Sequence, residues 1–331
     1  MSKFIASQNG VVQIEDILVE STSISYTDIG PYEEQFVLDQ LQEKTDWREV
    51  VSQLYAETRP WLYKIITSPR RAGILSLLEL ESVQNCLDIG SGWGQLTIPL
   101  ARQTQVHALD QTLNRIKILR EIAGQENVQL NFYVGDFLTF PFAEISFDLI
   151  LMNGSLEYMG LGHEEVSTWE CQVQALQKAG SLLTPQGQLY VGIENALGLK
   201  YLMGAPDDHT GIPYQTLAYG PDPKVKQQVC VWRLSQYLEL FRLANLQVQE
   251  IYACFPDYKL PEYMVPLTLV DLFLQNRWPQ LSEHSGFDGQ PVPFESALRL
   301  AYYALAQEKI VKYFVPSFGF ILSKPSQKRI D

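Results

Sequence analysis

The chain has 331 residues, 46% hydrophobic and 19% charged, with a formal net charge of −13. That is enough apolar material for a large core and one or two domains, and the charge argues against binding to nucleic-acid phosphates, which takes clustered lysine and arginine. No run of 18 uncharged apolar residues occurs, so neither an integral membrane segment nor a leader peptide is expected.

Residues 1 to about 30 are mixed and polar, with short β-like runs such as Ile14 to Val19. From Tyr32 to Leu80 the apolar spacing turns helical, through Phe36, Val37, Leu41, Val50, Leu54, Trp61, Leu62, Ile65 and Ile66, with Pro60 and Pro69 as punctuation. Residues 1–80 are therefore expected to form a mostly helical extension, a cap on the sheet edge or a lid.

Next comes Asn85-Cys86-Leu87-Asp88-Ile89-Gly90-Ser91-Gly92-Trp93-Gly94-Gln95-Leu96-Thr97. A short apolar run with an acid near its end enters three alternate glycines, and the amphipathic segment Gln95 to Arg102 follows. This reads as strand, tight turn and helix start. Glycine accepts positive φ and close backbone approach, as a nucleotide- or adenosyl-binding turn requires. The dinucleotide fingerprint G-x-G-x-x-G needs a third glycine where Gln95 stands.

Three more strand ends follow. Gln105 to Asp110 is a strand ending in an acid twenty residues past Gly90, where a carboxylate can accept ribose hydroxyls. Asn131 to Phe137 ends in Gly-Asp-Phe, and Phe147 to Asn153 leads into a loop. Helical faces are expected from Leu113, Ile116, Leu119 and Ile122, and again between Val166 and Leu183. Thr184 to Gly187 reads as a turn and Gln188 to Glu194 as a fifth strand. Strands alternating with helices predict a mostly parallel α/β sheet, with ligands beyond its carboxyl edge.

Asn195 to Lys226 is irregular and rich in Gly, Pro and Asp, which marks a functional or mobile stretch. Val229 to Leu243 reads as helix and Gln247 to Ala253 as a sixth strand. A Pro-rich insertion over 255–293 carries one helical piece, Leu267 to Leu274. Phe294 to Phe314 reads as a long helix and Ser317 to Leu322 as the last strand. Cys86, Cys171, Cys230 and Cys254 and the four histidines are scattered. Reduced thiols, a cytoplasmic setting and no metal site are expected.

The acid, glycine-turn and strand-end pattern resembles class I S-adenosylmethionine-dependent methyltransferases. The resemblance implies a Rossmann-like, seven-stranded, mostly parallel sheet with an antiparallel last strand and helices on both faces. It makes residues 81–331 the methyltransferase domain, with acceptor-side insertions near 195–228 and 255–293. It implies S-adenosylmethionine as cofactor, held by Asp88, Gly90, Gly92, Gly94, Asp110, Gln111, Asp136, Phe137 and Asn153, with Asp136 on the adenine amino group and Phe137 covering the ring. Ile193 to Tyr201, Gly204 to Gly211 and Phe255 to Pro261 are similar to a subgroup encoded with bacterial surface-polysaccharide genes. That implies a sugar, sugar phosphate or glycan end as acceptor and a glycosyltransferase as partner.

Transfer to a hydroxyl or amine needs proton removal. His209 is the expected base, because imidazole titrates near neutral pH, with Asp208 and Glu194 as the other catalytic candidates and Glu157 behind them. Tyr258 and Lys259 are candidates for acceptor contact, and Trp93 for packing over the cofactor. The competing readings are a methyltransferase of another small-molecule or lipid acceptor, an NAD-dependent oxidoreductase, and a non-catalytic adenosyl-binding module.

Overall fold

A computed structural model describes residues 5–8, 11–20, 30–43, 46–57, 67–142, 145–218, 228–277 and 295–325. Trp61, Leu62, Ile65, Ile66 and Phe294 lie outside the described residues, as do 219–227 and 278–293 of the two expected insertions. The chain divides into two units, Met1–Leu151 and Met152–Asp331.

The first unit opens on strands rather than helix: β1 (Ile5–Gln8), β2 (Val11–Ile14) and β3 (Ile17–Glu20). The β-like run from Ile14 to Val19 thus spans the end of β2, the two-residue turn and most of β3, with Glu15 at φ 56°. Helices α1 (Pro31–Gln42) and α2 (Trp47–Glu57) come next, as the spacing predicts. Strands β4 (Asn85–Ile89), β5 (Gln105–Asp110), β6 (Asn131–Val134) and β7 (Phe147–Asn153) follow, the last two residues of β7 counting with the second unit.

Within this unit the strand order is β1-β2-β3-β6-β5-β4-β7. The hairpin strands pair antiparallel, and from β3 onward every pair is parallel. The chain steps from β4 outward to β5 and β6, then returns to the other side of β4 as β7. The reversal puts a topological switch point at the carboxyl end of β4, where such sheets bind ligands. Cys86, Leu87, Asp88 and Ile89 are all buried, as a strand covered on both faces requires.

The short helix α3 (Thr97–Ala101) starts two residues later than the glycine turn suggests, and α4 (Leu113–Gln125) buries Ile116, Ile118, Leu119, Ile122 and Ala123. Val37, Leu38 and Leu41 of α1 and Val50 and Val51 of α2 share the core of Ile116 and Leu119. An Arg115–Glu34 ion pair of 2.8 Å ties α1 to α4.

In the second unit α5 (Thr168–Leu182) starts on a capping box. Ser167 Oγ accepts from the Glu170 amide, and the Glu170 carboxylate accepts from the Ser167 amide. Strand β8 (Leu183–Glu194) runs straight through the expected turn at Thr184–Gly187. Its ladder with β11 (Ser317–Ser323) begins only at Gln188, so Pro185 costs that ladder no hydrogen bond. The helices are α6 (Leu199–Leu202), α7 (Gln215–Ala218), α8 (Leu234–Leu243), α9 (Val270–Asn276) and α10 (Glu295–Gln307). The expected long last helix ends at Gln307, and a separate 3-10 turn spans Val311–Tyr313.

Strands β9 (Gln247–Phe255) and β10 (Tyr263–Pro266) complete the order β8-β11-β9-β10, every neighbour antiparallel. The expected antiparallel last strand is β11. Eleven strands are thus present among the described residues, not seven. The four extra are β1–β3, in a stretch expected to hold only short β-like runs outside the sheet, and β10, in the expected Pro-rich insertion.

Candidate active site

In the first unit the glycine turn is built by backbone bonds to β5. Gly90 N and Ser91 N donate to the Leu109 carbonyl at 2.8 and 3.1 Å. Gly90, Gly92 and Gly94 have φ of 77°, 55° and 94°, a region that strains any residue with a Cβ. Their roles differ. A Cβ on Gly94 would sit 2.3 Å from Leu119 Cδ1, so that glycine permits packing. A Cβ on Gly92 would meet nothing within 4 Å, so its backbone borders open space.

Asp110 is the anchor of this turn. Its Oδ2 accepts from Gly92 N and its Oδ1 from Thr112 N, both at 3.0 Å. These two bonds fix the orientation of the carboxylate beside the open backbone of Gly92. A fixed acid beside an open glycine backbone fits an adenosyl group.

Asp88 is buried, and its Oδ2 accepts from Thr97 Oγ1 at 2.6 Å. Burial pushes its pKa up to about 6, against the opposing Thr97 bond. Asp136 accepts from Leu138 N at 2.7 Å, while its own amide donates to Glu20 Oε2 at 3.0 Å. Phe137 is buried, with Phe142 as a ring neighbour at 6.1 Å. Gln111 is half-buried. Trp93 is part of the hydrophobic core of this unit.

In the second unit Asn153 is buried and lies beside Gly192, where a Cβ would come within 2.1 Å of Asn153 Oδ1. Beyond it the structure gathers residues far apart in sequence. Glu194 ends β8 fully buried, and its Oε1 accepts from Lys259 Nζ. Lys200 Nζ donates to Asp208 Oδ2 at 2.9 Å and faces Asp257 at 3.8 Å. Lys259 lies 3.5 Å from Asp208 and 3.8 Å from Asp257. Tyr258 donates to Glu157 Oε1 at 3.1 Å. His209 Nδ1 lies 3.3 Å from the Tyr158 hydroxyl.

Three carboxylates, Glu194, Asp208 and Asp257, thus share two ammonium groups, and the Glu157 carboxyl lies beside Glu194. Burial and the neighbouring Glu194 carboxylate push Glu157 up to about 8. Burial would raise Asp208 as well, but Lys200 and Lys259 outweigh it and hold that carboxyl below the usual range. Glu157 Oε2, Glu194 Oε2 and His209 Nε2 are buried atoms without a hydrogen-bond partner among the described residues.

Sequence reasoning missed Asp207, which shapes the histidine loop. Its Oδ1 accepts from the amides of His209 and Thr210, and its Oδ2 from Thr216 Oγ1. An Asp two and three residues before those amides is a legible turn signal. Lys200 and Asp257 carried no such signal, because only the fold brings them to Asp208.

Residues 86–187 match a family model described as a methyltransferase domain. The chain therefore carries a class I S-adenosylmethionine-dependent methyltransferase domain. It is an enzyme, and its methyl donor is S-adenosylmethionine. No curated protein sequence matches the chain. Among solved structures it is similar to an S-adenosylmethionine-dependent methyltransferase from Clostridium acetobutylicum, at 9% identity over 85% of this chain and 100% of that one, TM-score 0.49. The CcbJ methyltransferase from Streptomyces caelestis gives 13% identity over 78% and 97%, TM-score 0.47. A TehB-like methyltransferase from Corynebacterium glutamicum gives 14% over 89% and 100%, TM-score 0.45.

Proposed function

We propose that the chain moves the methyl group of S-adenosylmethionine to an oxygen or nitrogen of a sugar, sugar phosphate or glycan end, in the assembly of a surface polysaccharide. The observation that carries this reading is the meeting of two segments. Ile193–Gly211 and Phe255–Pro261, the two stretches similar to the polysaccharide-linked subgroup, meet through Lys259, which touches Glu194 and Asp208. Buried, mutually compensated charges of that kind suit a polar, hydroxyl-rich acceptor better than an apolar one.

On the cofactor side, Asp110 receives the ribose hydroxyls, the Gly90–Gly94 backbone lies along the ligand, and Asp136 with Phe137 takes the adenine end. Asp88 acts through Thr97, since its own carboxyl is buried. Gln111 and Asn153 complete the set. The cofactor supplies a methyl already activated on a sulfonium. The protein must align an acceptor lone pair with that methyl and exclude water, and such positioning contributes about 7–11 kcal/mol. His209 takes the acceptor proton on Nε2, while Asp208 and Glu194 hold the surrounding charge in place.

His209→Ala is expected to bind S-adenosylhomocysteine as the wild type does while transfer falls by at least about a hundredfold, the usual scale of general-base catalysis. A labelled-methyl assay over a panel of glycans, small hydroxyl compounds and lipids reads both the acceptor class and this variant. Full turnover by His209→Ala would remove it as the base. Transfer only to a lipid or an unrelated small molecule would remove the glycan assignment.

A further inference from the structure

Glu157, Glu194 and His209 sit on three different elements: the 3-10 turn Leu156–Tyr158, the end of β8, and the loop after α6. One donor atom of each lies within 4.8 Å of the other two. Glu157 is 1% exposed and Glu194 is fully buried, and each has one carboxylate oxygen without a partner among the described residues. His209 Nε2 has none either. Burying such atoms unpaired is costly.

A neighbouring trio, Glu194, Asp208 and Asp257, is equally compact. It is a worse candidate, because Lys200 and Lys259 lie within 4 Å of both aspartates and already supply positive charge there. Among the described residues, the cation that bonds to this trio is Lys259, and it takes the other oxygen of Glu194.

We infer that Glu157, Glu194 and His209 form a site for one divalent transition cation, which competes with the acceptor proton for His209. The proton half of this statement rests on the base reading above. Two carboxylates and an imidazole are the donor set of Zn²⁺ or Mn²⁺, and imidazole disfavours Mg²⁺. Three protein ligands leave further positions for water or an acceptor oxygen. Ligands at 2.0–2.2 Å from an ion lie roughly 3–4 Å from one another, so the side chains need to close by about an ångström. A carboxylate binds such an ion in its ionised form. A lone pair given to the ion is not free to take a proton, so the loaded enzyme transfers more slowly.

The test uses the full chain after chelation and dialysis, titrated calorimetrically with Zn²⁺, Mn²⁺ or Mg²⁺. One Zn²⁺ or Mn²⁺ per chain is expected, with Mg²⁺ much weaker and Glu157→Gln, Glu194→Gln and His209→Ala each weakening Zn²⁺ at least tenfold. S-Adenosylhomocysteine affinity reports that each variant is folded. If a variant fails that check, the anomalous signal of Mn²⁺ soaked into wild-type crystals decides, expected within bonding distance of the three side chains. No saturable binding of either ion, affinity indifferent to all three substitutions, or an anomalous peak elsewhere overturns the site. Transfer that falls as the ion saturates is expected. Transfer that rises instead leaves the site standing and overturns His209 as the proton acceptor.

Discussion

Gly92 and Gly94 have the same backbone requirement and opposite surroundings, and that difference is measurable. Gly94→Ala forces a methyl against Leu119 at a positive φ. Overpacking costs about 1–3 kcal/mol and the left-handed backbone about 1–2 more, so a clear drop in melting temperature is expected. Gly92→Ala meets no neighbour, so it is expected to melt closer to wild type yet bind S-adenosylhomocysteine poorly. Equal melting temperatures for the two variants would contradict the assignment of packing to one and ligand approach to the other.

Asp88 gives a pH dependence with a definite sign. Its pKa is raised from 3.8 to about 6 by burial. The folded state therefore holds this proton more tightly than the unfolded chain does. The contribution is complete below about pH 3.8 and is lost as pH rises through about 6, a change on the order of 3 kcal/mol. Asp88→Asn, which stays neutral, is expected to flatten the unfolding free energy between pH 4 and 6.5 in denaturant titrations. A variant as steeply pH-dependent as the wild type would show that Asp88 ionises freely.

At the scale of elements, the N-terminal hairpin belongs to the cofactor half of its unit. Strand β3 pairs parallel with β6, and Glu20 at its end accepts from the Asp136 amide. Glu20→Ala removes this charged acceptor from the buried Asp136 amide, a loss of about 1–3 kcal/mol. Lower stability together with weaker S-adenosylhomocysteine binding is expected by thermal melting and calorimetry, and unchanged affinity in this variant would confine the hairpin to a structural role.

The hairpin was barely legible in the sequence. Its strands are four residues long, too short for alternation to stand out, and its turn places Glu15 rather than glycine at positive φ. The parallel strands were legible because each combines a continuous apolar run with an acid or glycine at its end. Pro185 and Gly187 mimicked a turn in β8, since sequence alone does not reveal that the ladder with β11 begins only after them.

For the whole molecule, the two halves of the chemistry differ in how far apart their residues lie in the chain. The cofactor residues come in short contiguous groups, each read locally from a strand and its turn. The charged cluster takes Glu157, Glu194, Lys200, Asp208, His209, Asp257 and Lys259 from over a hundred residues of sequence. Five of its members, all but Lys200 and Asp257, were visible one by one as candidates, but their pairing was not. Compensation of Asp208 by two lysines exists only after folding.

The account stands or falls on the adenosyl sulfonium site, and calorimetric titration of the full chain with S-adenosylhomocysteine measures it most directly. Saturable binding of one molecule per chain is predicted. Asp110→Ala should weaken it by about one to two decades, since a hydrogen bond to a charged group contributes about 1.5–3 kcal/mol. A native chain that binds nothing at millimolar ligand, or an Asp110→Ala variant that binds as tightly as wild type, would contradict it.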